Sequence, residues 1–259
     1  MPKPPSDFVP DVSKLAAEAS NEADRMLRAF DINPKGRDFV IGDLHGCIAE
    51  FETLLRRLKF DFQKDRMFSV GDLVDRGPDS MACLRLLREP WFFAVKGNHE
   101  DMMLSAVASN LRVGAENWAW NGGDWGIARF EGGDPEFFDL LDLVDACPFA
   151  FTVRSRELGL VGISHAEPPS RWSAPIIEDE VKNVIWRRDK IHAPDRGLAA
   201  EGAQFSVHGH CIVGDMVFRD DFRAFWIDLG CYAFGRLCAL QISGHEDLWP
   251  EPFIVEGRD

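Results

Sequence analysis

The chain has 259 residues, 46% of them hydrophobic, enough for a sizeable core in one large domain or in one domain with a short appendage. Lys and Arg total 29 against 43 Asp and Glu, a net charge of −14, and this argues against nucleic-acid binding, which needs clustered Lys and Arg. A phosphorylated substrate stays open, because a bound metal reverses the sign of the local field.

No apolar run approaches the roughly 20 residues of a membrane helix. The start, Met1-Pro2-Lys3-Pro4-Pro5, lacks the apolar segment of a signal peptide. Six scattered cysteines with no CxxC pair read as reduced thiols. These features predict a cytoplasmic protein that does not engage a membrane; its oligomeric state is left open.

In chain order, residues 1–10 are Pro-rich and read as disordered. From Asp11 to Phe30 the apolar positions Val12, Leu15, Ala19, Ala23, Met26, Leu27 and Phe30 have helical spacing. Residues 1–37 are therefore expected to form an extension, a Pro-rich start plus an amphipathic helix, with the catalytic domain over 38–259. On this reading, removal of residues 1–35 leaves the core folded.

The extension gives way to Phe39-Val40-Ile41-Gly42-Asp43-Leu44-His45-Gly46, a short apolar strand that stops at two glycines enclosing a carboxylate and an imidazole. Helical spacing follows at Ile48, Phe51, Leu54, Leu55 and Leu58. A second strand, Met67–Val70, runs into Gly71-Asp72-Leu73-Val74-Asp75-Arg76-Gly77, and a helix from Asp79 or Ser80 to Leu87 comes next. The third, Trp91–Val95, ends at Lys96-Gly97-Asn98-His99-Glu100 and another helix. Three βα units in a row predict a parallel core. Trp118–Trp125 reads as a turn packed with tryptophans, followed by helices near 124–130 and 135–144. Beyond Pro148 strands are expected at 149–153, 158–163, 205–208, 216–218, 224–227 and 237–242, with a helix at 178–185. Two of those strands run into histidines, at Ser164-His165 and His208-Gly209-His210. No linker divides the chain, so the predicted fold is α/β, a sandwich of two mixed β-sheets flanked by helices.

Strand ends are where ligands bind in open α/β sheets. Five of them carry Asp43 with His45, Asp72, Asn98, His165 and His210. This oxygen and nitrogen set, with no thiolate, suits two divalent ions, Mn²⁺ first and Fe²⁺ or Zn²⁺ as alternatives. Two ions need a shared carboxylate to stand about 3.5–4 Å apart, and Asp72, central in the series, is the natural bridge.

The blocks Gly42-Asp43-Leu44-His45-Gly46, Gly71-Asp72-Leu73-Val74-Asp75-Arg76-Gly77 and Gly97-Asn98-His99-Glu100 resemble the three signatures of the PPP-type metallophosphoesterases. The Trp118–Trp125 turn and the stretch from Ile227 to Leu237 are similar to the compact bacterial and bacteriophage branch, which are serine/threonine and sometimes tyrosine protein phosphatases. The resemblance spans about residues 38–242. It implies a metallophosphoesterase-like sandwich and direct hydrolysis of phosphoprotein monoesters by a hydroxide held between two metals. It further implies that Asp43, His45 and the bridging Asp72 hold one metal, and that Asn98, His165 and His210 complete the other. His99 would be the general acid, oriented by Asp75. Arg76, Arg188 and Asn98 would hold the phosphate, with Arg187 as the rival to Arg188. Departures flank these positions without removing any. Cys211 stands where Thr or Asp is usual, and Leu229, Cys231 and Phe234-Gly235 interrupt the usual C-terminal block. Relatives that hydrolyse dinucleoside polyphosphates share the first block and form the alternative reading. The complete donor set with His99 argues against a non-catalytic binding module.

Overall fold

The computed structural model describes residues 25–256 apart from 175, 193–198, 222 and 245–249. Its centre is the predicted parallel ladder of β2 (Asp38–Ile41), β3 (Arg66–Ser69) and β4 (Phe92–Ala94). Alternation along these strands sends Phe39, Ile41 and Met67 to one face and Val40 and Phe68 to the other, so each face feeds a separate core. A helix follows each strand: α1 (Ile48–Leu58), α2 (Ser80–Arg85) and α3 (Asn98–Ala108). α1 buries Phe51, Leu54, Leu55 and Leu58, the stripe its spacing predicts. Asp79 caps α2 by accepting the backbone N–H of Ala82. α4 (Ala115–Trp120), α5 (Asp124–Gly132) and α6 (Pro135–Asp145) extend the helical layer. β10 (Leu237–Gln241), antiparallel to β2, and the edge strand β11 (Glu251–Val255) complete a five-stranded sheet of order β11-β10-β2-β3-β4.

The second sheet joins β1 (Leu27–Phe30), β5 (Ala150–Ser155), β6 (Gly159–Ser164), β7 (Phe205–His208), β8 (Val217–Arg219) and β9 (Ala224–Trp226) in the order β1-β5-β6-β7-β9-β8. Both sheets are mixed. Phe68, Phe151, Val161, Val207, Phe225 and Leu240 fill the space between them. Each phenylalanine buried there is worth about 2–3 kcal/mol. α7 (Glu178–Trp186) covers the outer face of this sheet with Val184 and Ile185 against Trp172 and Ala150. α8 (Asp189–His192) and α9 (Cys231–Phe234) are single turns. Among the described residues no helix is long and apolar enough to cross a membrane.

Three expectations change. Most of the predicted 11–30 helix lies outside the described residues, but Leu27–Phe30 is a strand, paired parallel with Ala150–Val153. Part of what the sequence assigns to an extension is therefore an edge of the sheet. Trp118–Trp125 is not one turn: α4 ends at Trp120 and α5 begins at Asp124. β11 was not expected at all.

The ring of Phe30 makes edge contacts with Phe68, Phe93 and Phe151 at 4.8–5.2 Å. Deletion of residues 1–35 is accordingly expected to destabilise the core rather than leave it folded. Phe30→Ala alone is expected to cost about 2–3 kcal/mol, below the roughly 3–5 kcal/mol of truncating a fully buried phenylalanine to alanine, because Phe30 is only partly buried. Urea unfolding of both variants checks this. An unchanged midpoint would show that β1 contributes nothing.

Candidate active site

Strands that end at one edge deliver their following residues to one place. His165, just past β6, and His210, two residues past β7, meet Asn98 at the start of α3 and Asp72 from the loop after β3. Asn98 Oδ1 lies 2.9 Å from His165 Nε2 and 2.8 Å from His210 Nδ1. The two imidazole nitrogens are 3.1 Å apart, and His165 Nε2 is 3.4 Å from Asp72 Oδ1. On the other side of Asp72, His45 Nε2 stands 3.5 Å from Oδ2. Asp72 thus faces both groups.

Backbone carbonyls fix which nitrogen of His45 and of His165 carries the proton, and a third carbonyl stands beside His210. His45 Nδ1 is 2.7 Å from the Val74 carbonyl, His165 Nδ1 is 2.9 Å from that of Val70, and His210 Nε2 is 3.1 Å from that of Trp186. For His45 and His165 the N–H donates to its carbonyl and leaves the other nitrogen with a lone pair turned into the site, the arrangement metal-binding imidazoles require, while His210 Nε2 meets both the Trp186 carbonyl and the Arg188 Nε–H. Burial pulls His45 and His210 down to about 3, so both stay neutral. Burial acts in the same sense on His165, but Asp72 beside it raises that ring.

The carboxylates fit a cation equally well. Asp43 Oδ1 is buried with no hydrogen-bond partner, while Oδ2 accepts the His210 N–H at 3.0 Å. Burial pushes Asp43 well above the usual range, and Asp228 and Asp72 add to the effect. Although burial also works against Asp72, His165 and His99 beside it hold it well below that range. Positive charge among these groups relieves a crowding the protein alone does not. A side chain at Gly209 would overlap Asp43 Oδ1, and one at Gly97 would overlap Asp72 Oδ1, so glycine keeps room for both carboxylates. His45, Asp72, Asp75, Arg76 and His210 all have φ between 43° and 71°. Each such residue costs about 1–3 kcal/mol, a cost typical of functional loops.

His99 stands beside this cluster. Its Nδ1 is 2.7 Å from Asp75 Oδ2, and its Nε2 is buried without a partner, 3.9 Å from Asp72 Oδ2. Asp75 is itself held: Trp125 Nε1 donates to Oδ1 at 2.7 Å and Trp118 Nε1 donates to Oδ2 at 3.1 Å. The sequence shows these tryptophans only as part of a tryptophan-packed stretch. Their hydrogen bonds to Asp75 are additional, and no sequence signal connects residues 43 and 50 positions away. Glu100 braces the cluster from below, accepting the backbone N–H groups of Gly97, Asp72 and Leu73 at 2.8–2.9 Å. Burial raises Glu100 to about 7. Asp228, two residues past β9, is a buried acid that the donor set missed; burial raises it to about 6.

The arginines differ. Arg76 Nη1 lies 3.0 Å from His45 Nε2, and its guanidinium sits 5.0 Å from the ring centre of Tyr232, the chain's one tyrosine. Arg188 Nε is 3.1 Å from His210 Nε2, whereas Arg187 is more than half exposed and pairs with Asp189 at 3.4 Å. Only Arg188 of this pair reaches the site. A guanidinium fork on phosphate is worth about 1.5–3 kcal/mol. Arg188→Lys is thus expected to lower kcat/KM roughly 10–100-fold, with metal content unchanged. Arg187→Lys should stay within about twofold of the parent by the same arithmetic. Steady-state kinetics of the two variants check the choice, and the reverse ranking would contradict it.

Residues 39–246 match the calcineurin-like phosphoesterase family. The serine/threonine-protein phosphatase 1 of Salmonella typhimurium is 36% identical over 209 residues, covering 79% of this chain and 91% of that protein. A symmetrical bis(5'-nucleosyl)-tetraphosphatase of Chromohalobacter salexigens is 39% identical, but over only 52% of this chain and 46% of its own length. The fold is shared with a protein serine/threonine phosphatase from Saccharomyces cerevisiae, at a TM-score of 0.55, 18% identity and coverage of 96% of this chain and 90% of that one. The donor cluster at the strand ends lies inside the matched region, and the chain belongs to the calcineurin-like phosphoesterases.

Proposed function

We propose that the chain is a serine/threonine phosphoprotein phosphatase that hydrolyses phosphomonoesters with two divalent ions, Mn²⁺ being the metal proposed. The observation that carries this reading is the pairing of the donor cluster on Asp72 with the Asp75-held His99 at its side. Asp43, His45 and Asp72 would hold one ion; Asp72, Asn98, His165 and His210 would hold the other. When bound, such ions supply Lewis-acid activation of a water and positive charge for the phosphoryl oxygens.

The remaining work falls to the chain's own side chains. Arg76 and Arg188 clamp the phosphoryl oxygens, with the Asn98 amide beside them, and offset the negative charge that develops there. A seryl oxygen leaves as a strong base and needs a proton. His99 holds that proton at Nε2 and passes it to the leaving oxygen. Asp75, fixed by Trp118 and Trp125, keeps Nδ1–H engaged so that Nε2 points at the substrate. The catalytic unit in this reading is residues 38–259 together with β1. A cytoplasmic setting fits the six unbridged cysteines.

Near-complete coverage of a protein phosphatase relative supports a phosphoprotein substrate. The half-length match to a dinucleoside tetraphosphatase supports the alternative. A substrate panel separates them: phosphoserine, phosphothreonine and phosphotyrosine peptides beside diadenosine tetraphosphate, all with Mn²⁺. The proposal expects the highest kcat/KM on a phosphoserine or phosphothreonine peptide. A preference for the dinucleotide would overturn it.

A further inference from the structure

Behind the phosphate site, on the α1 side of the five-stranded sheet, a different set of donors meets. Cys47 lies immediately before α1, Glu50 follows one turn along it, and Cys231 opens α9. Their two sulfur atoms and a carboxylate oxygen all lie within 4.8 Å of one another. Both thiols are buried, while Glu50 is partly exposed and opens the cluster to solvent. None of the three belongs to the proposed phosphate site.

We propose that Cys47, Glu50 and Cys231 form a second metal site, one that takes a thiophilic dication, Zn²⁺ above all. Residues three apart on a helix share a face, which places Glu50 beside Cys47. Two sulfurs and a carboxylate favour a borderline-soft ion, whereas the oxygen and nitrogen set around Asp72 also accepts hard ones. The two sites therefore select differently from the same mixture. Zn–S bonds of about 2.3 Å put tetrahedral sulfurs roughly 3.8 Å apart. The donors, no more than 4.8 Å apart, already stand within about an ångström of that spacing. Three protein ligands leave a fourth position for water, on the open side by Glu50. Binding releases the thiol protons of Cys47 and Cys231 to solvent as the dication enters.

The site is tied to the phosphate site through its neighbours. Cys47 Sγ is 3.8 Å from the His45 carbonyl. Cys231 precedes Tyr232, whose ring meets that of His45 at 5.1 Å and lies against Arg76. An ion here would pin the loop carrying His45 to the segment carrying Tyr232.

Co²⁺ provides a direct readout, because a thiolate bound to it absorbs in the near ultraviolet by charge transfer, and the phosphate site has no thiolate. The full chain, held in excess Mn²⁺, is titrated with Co²⁺ and then with Zn²⁺. Expected is a charge-transfer band that saturates at one Co²⁺ per chain and is displaced by Zn²⁺. Cys47→Ser and Cys231→Ser should each lose the band, and Cys238→Ser, which lies in the core between the sheets, should keep it. As a measurement that needs no variant, Zn²⁺ should protect Cys47 and Cys231 of the parent chain from a thiol alkylating reagent, mapped by mass spectrometry. No band and no protection would overturn the assignment, as would a band that survives Cys47→Ser. A Cys47–Cys231 disulfide with no cobalt uptake would also overturn it.

Discussion

Asp72→Asn is expected to lower turnover on a phosphoserine peptide by about 10³-fold or more, and to reduce metal content at both proposed positions together. Asp72 Oδ1 faces His165 at 3.4 Å and Oδ2 faces His45 at 3.5 Å, so one carboxylate serves both donor groups. Its acidity is also set by that role, since His165 and His99 hold its carboxyl well below the usual range against the burial that opposes this. An amide keeps the shape but offers one oxygen and no charge. Lewis-acid stabilisation is worth several kcal/mol, and about 4 kcal/mol corresponds to that loss of rate. Elemental analysis and kinetics on one preparation check both halves. Two ions per chain with full activity in the variant would sink the bridging role.

His99→Asn is expected to retain metal and to lose about 10²–10⁴-fold on a phosphoserine peptide, the usual range for general acid catalysis. On p-nitrophenyl phosphate the loss should be about tenfold or less, because an acidic phenol departs without a proton. The geometry also permits a different reading, since His45, Asp72 and His99 offer donor atoms within 4.8 Å of one another. The acid role rests on the division within the ring: Nδ1 is committed to Asp75, and Nε2 is buried with no hydrogen bond. Asp75→Asn should repeat the substrate dependence more mildly, as it misorients the imidazole without removing it. Equal losses on the two substrates with metal intact would exclude the acid role. Depleted metal would point to ligation.

Much of the site was legible because each donor follows a strand, and all but His165 stand next to glycine. The apolar run 39–41, then Gly42 and Asp43, dictates where the carboxylate goes, and the same logic placed Asp72, Asn98, His165 and His210. What failed was whatever depends on a partner far along the chain. Leu27 and Phe30 continue a helical spacing that Met26 still obeys, yet pairing with β5 and the aromatic cluster of Phe68, Phe93 and Phe151 wins over that local pattern from Leu27 on. β11 was hidden by Pro252, which is tolerated because this strand is an edge that pairs only with β10. The hydrogen bonds from Trp118 and Trp125 to Asp75 join residues from α4 and α5 to the loop after β3, which spacing alone does not reveal. Asp228 was missed because no histidine and no preceding glycine mark its strand end.

The most direct measurement of the central claim is a titration of metal-stripped protein with Mn²⁺, following bound metal and phosphoserine-peptide turnover together. Activity is expected to be absent without metal, to rise with occupancy and to reach its plateau at two ions per chain. Full turnover in protein shown to be metal-free, or a plateau at a single ion, would contradict a dimetal site built on Asp72.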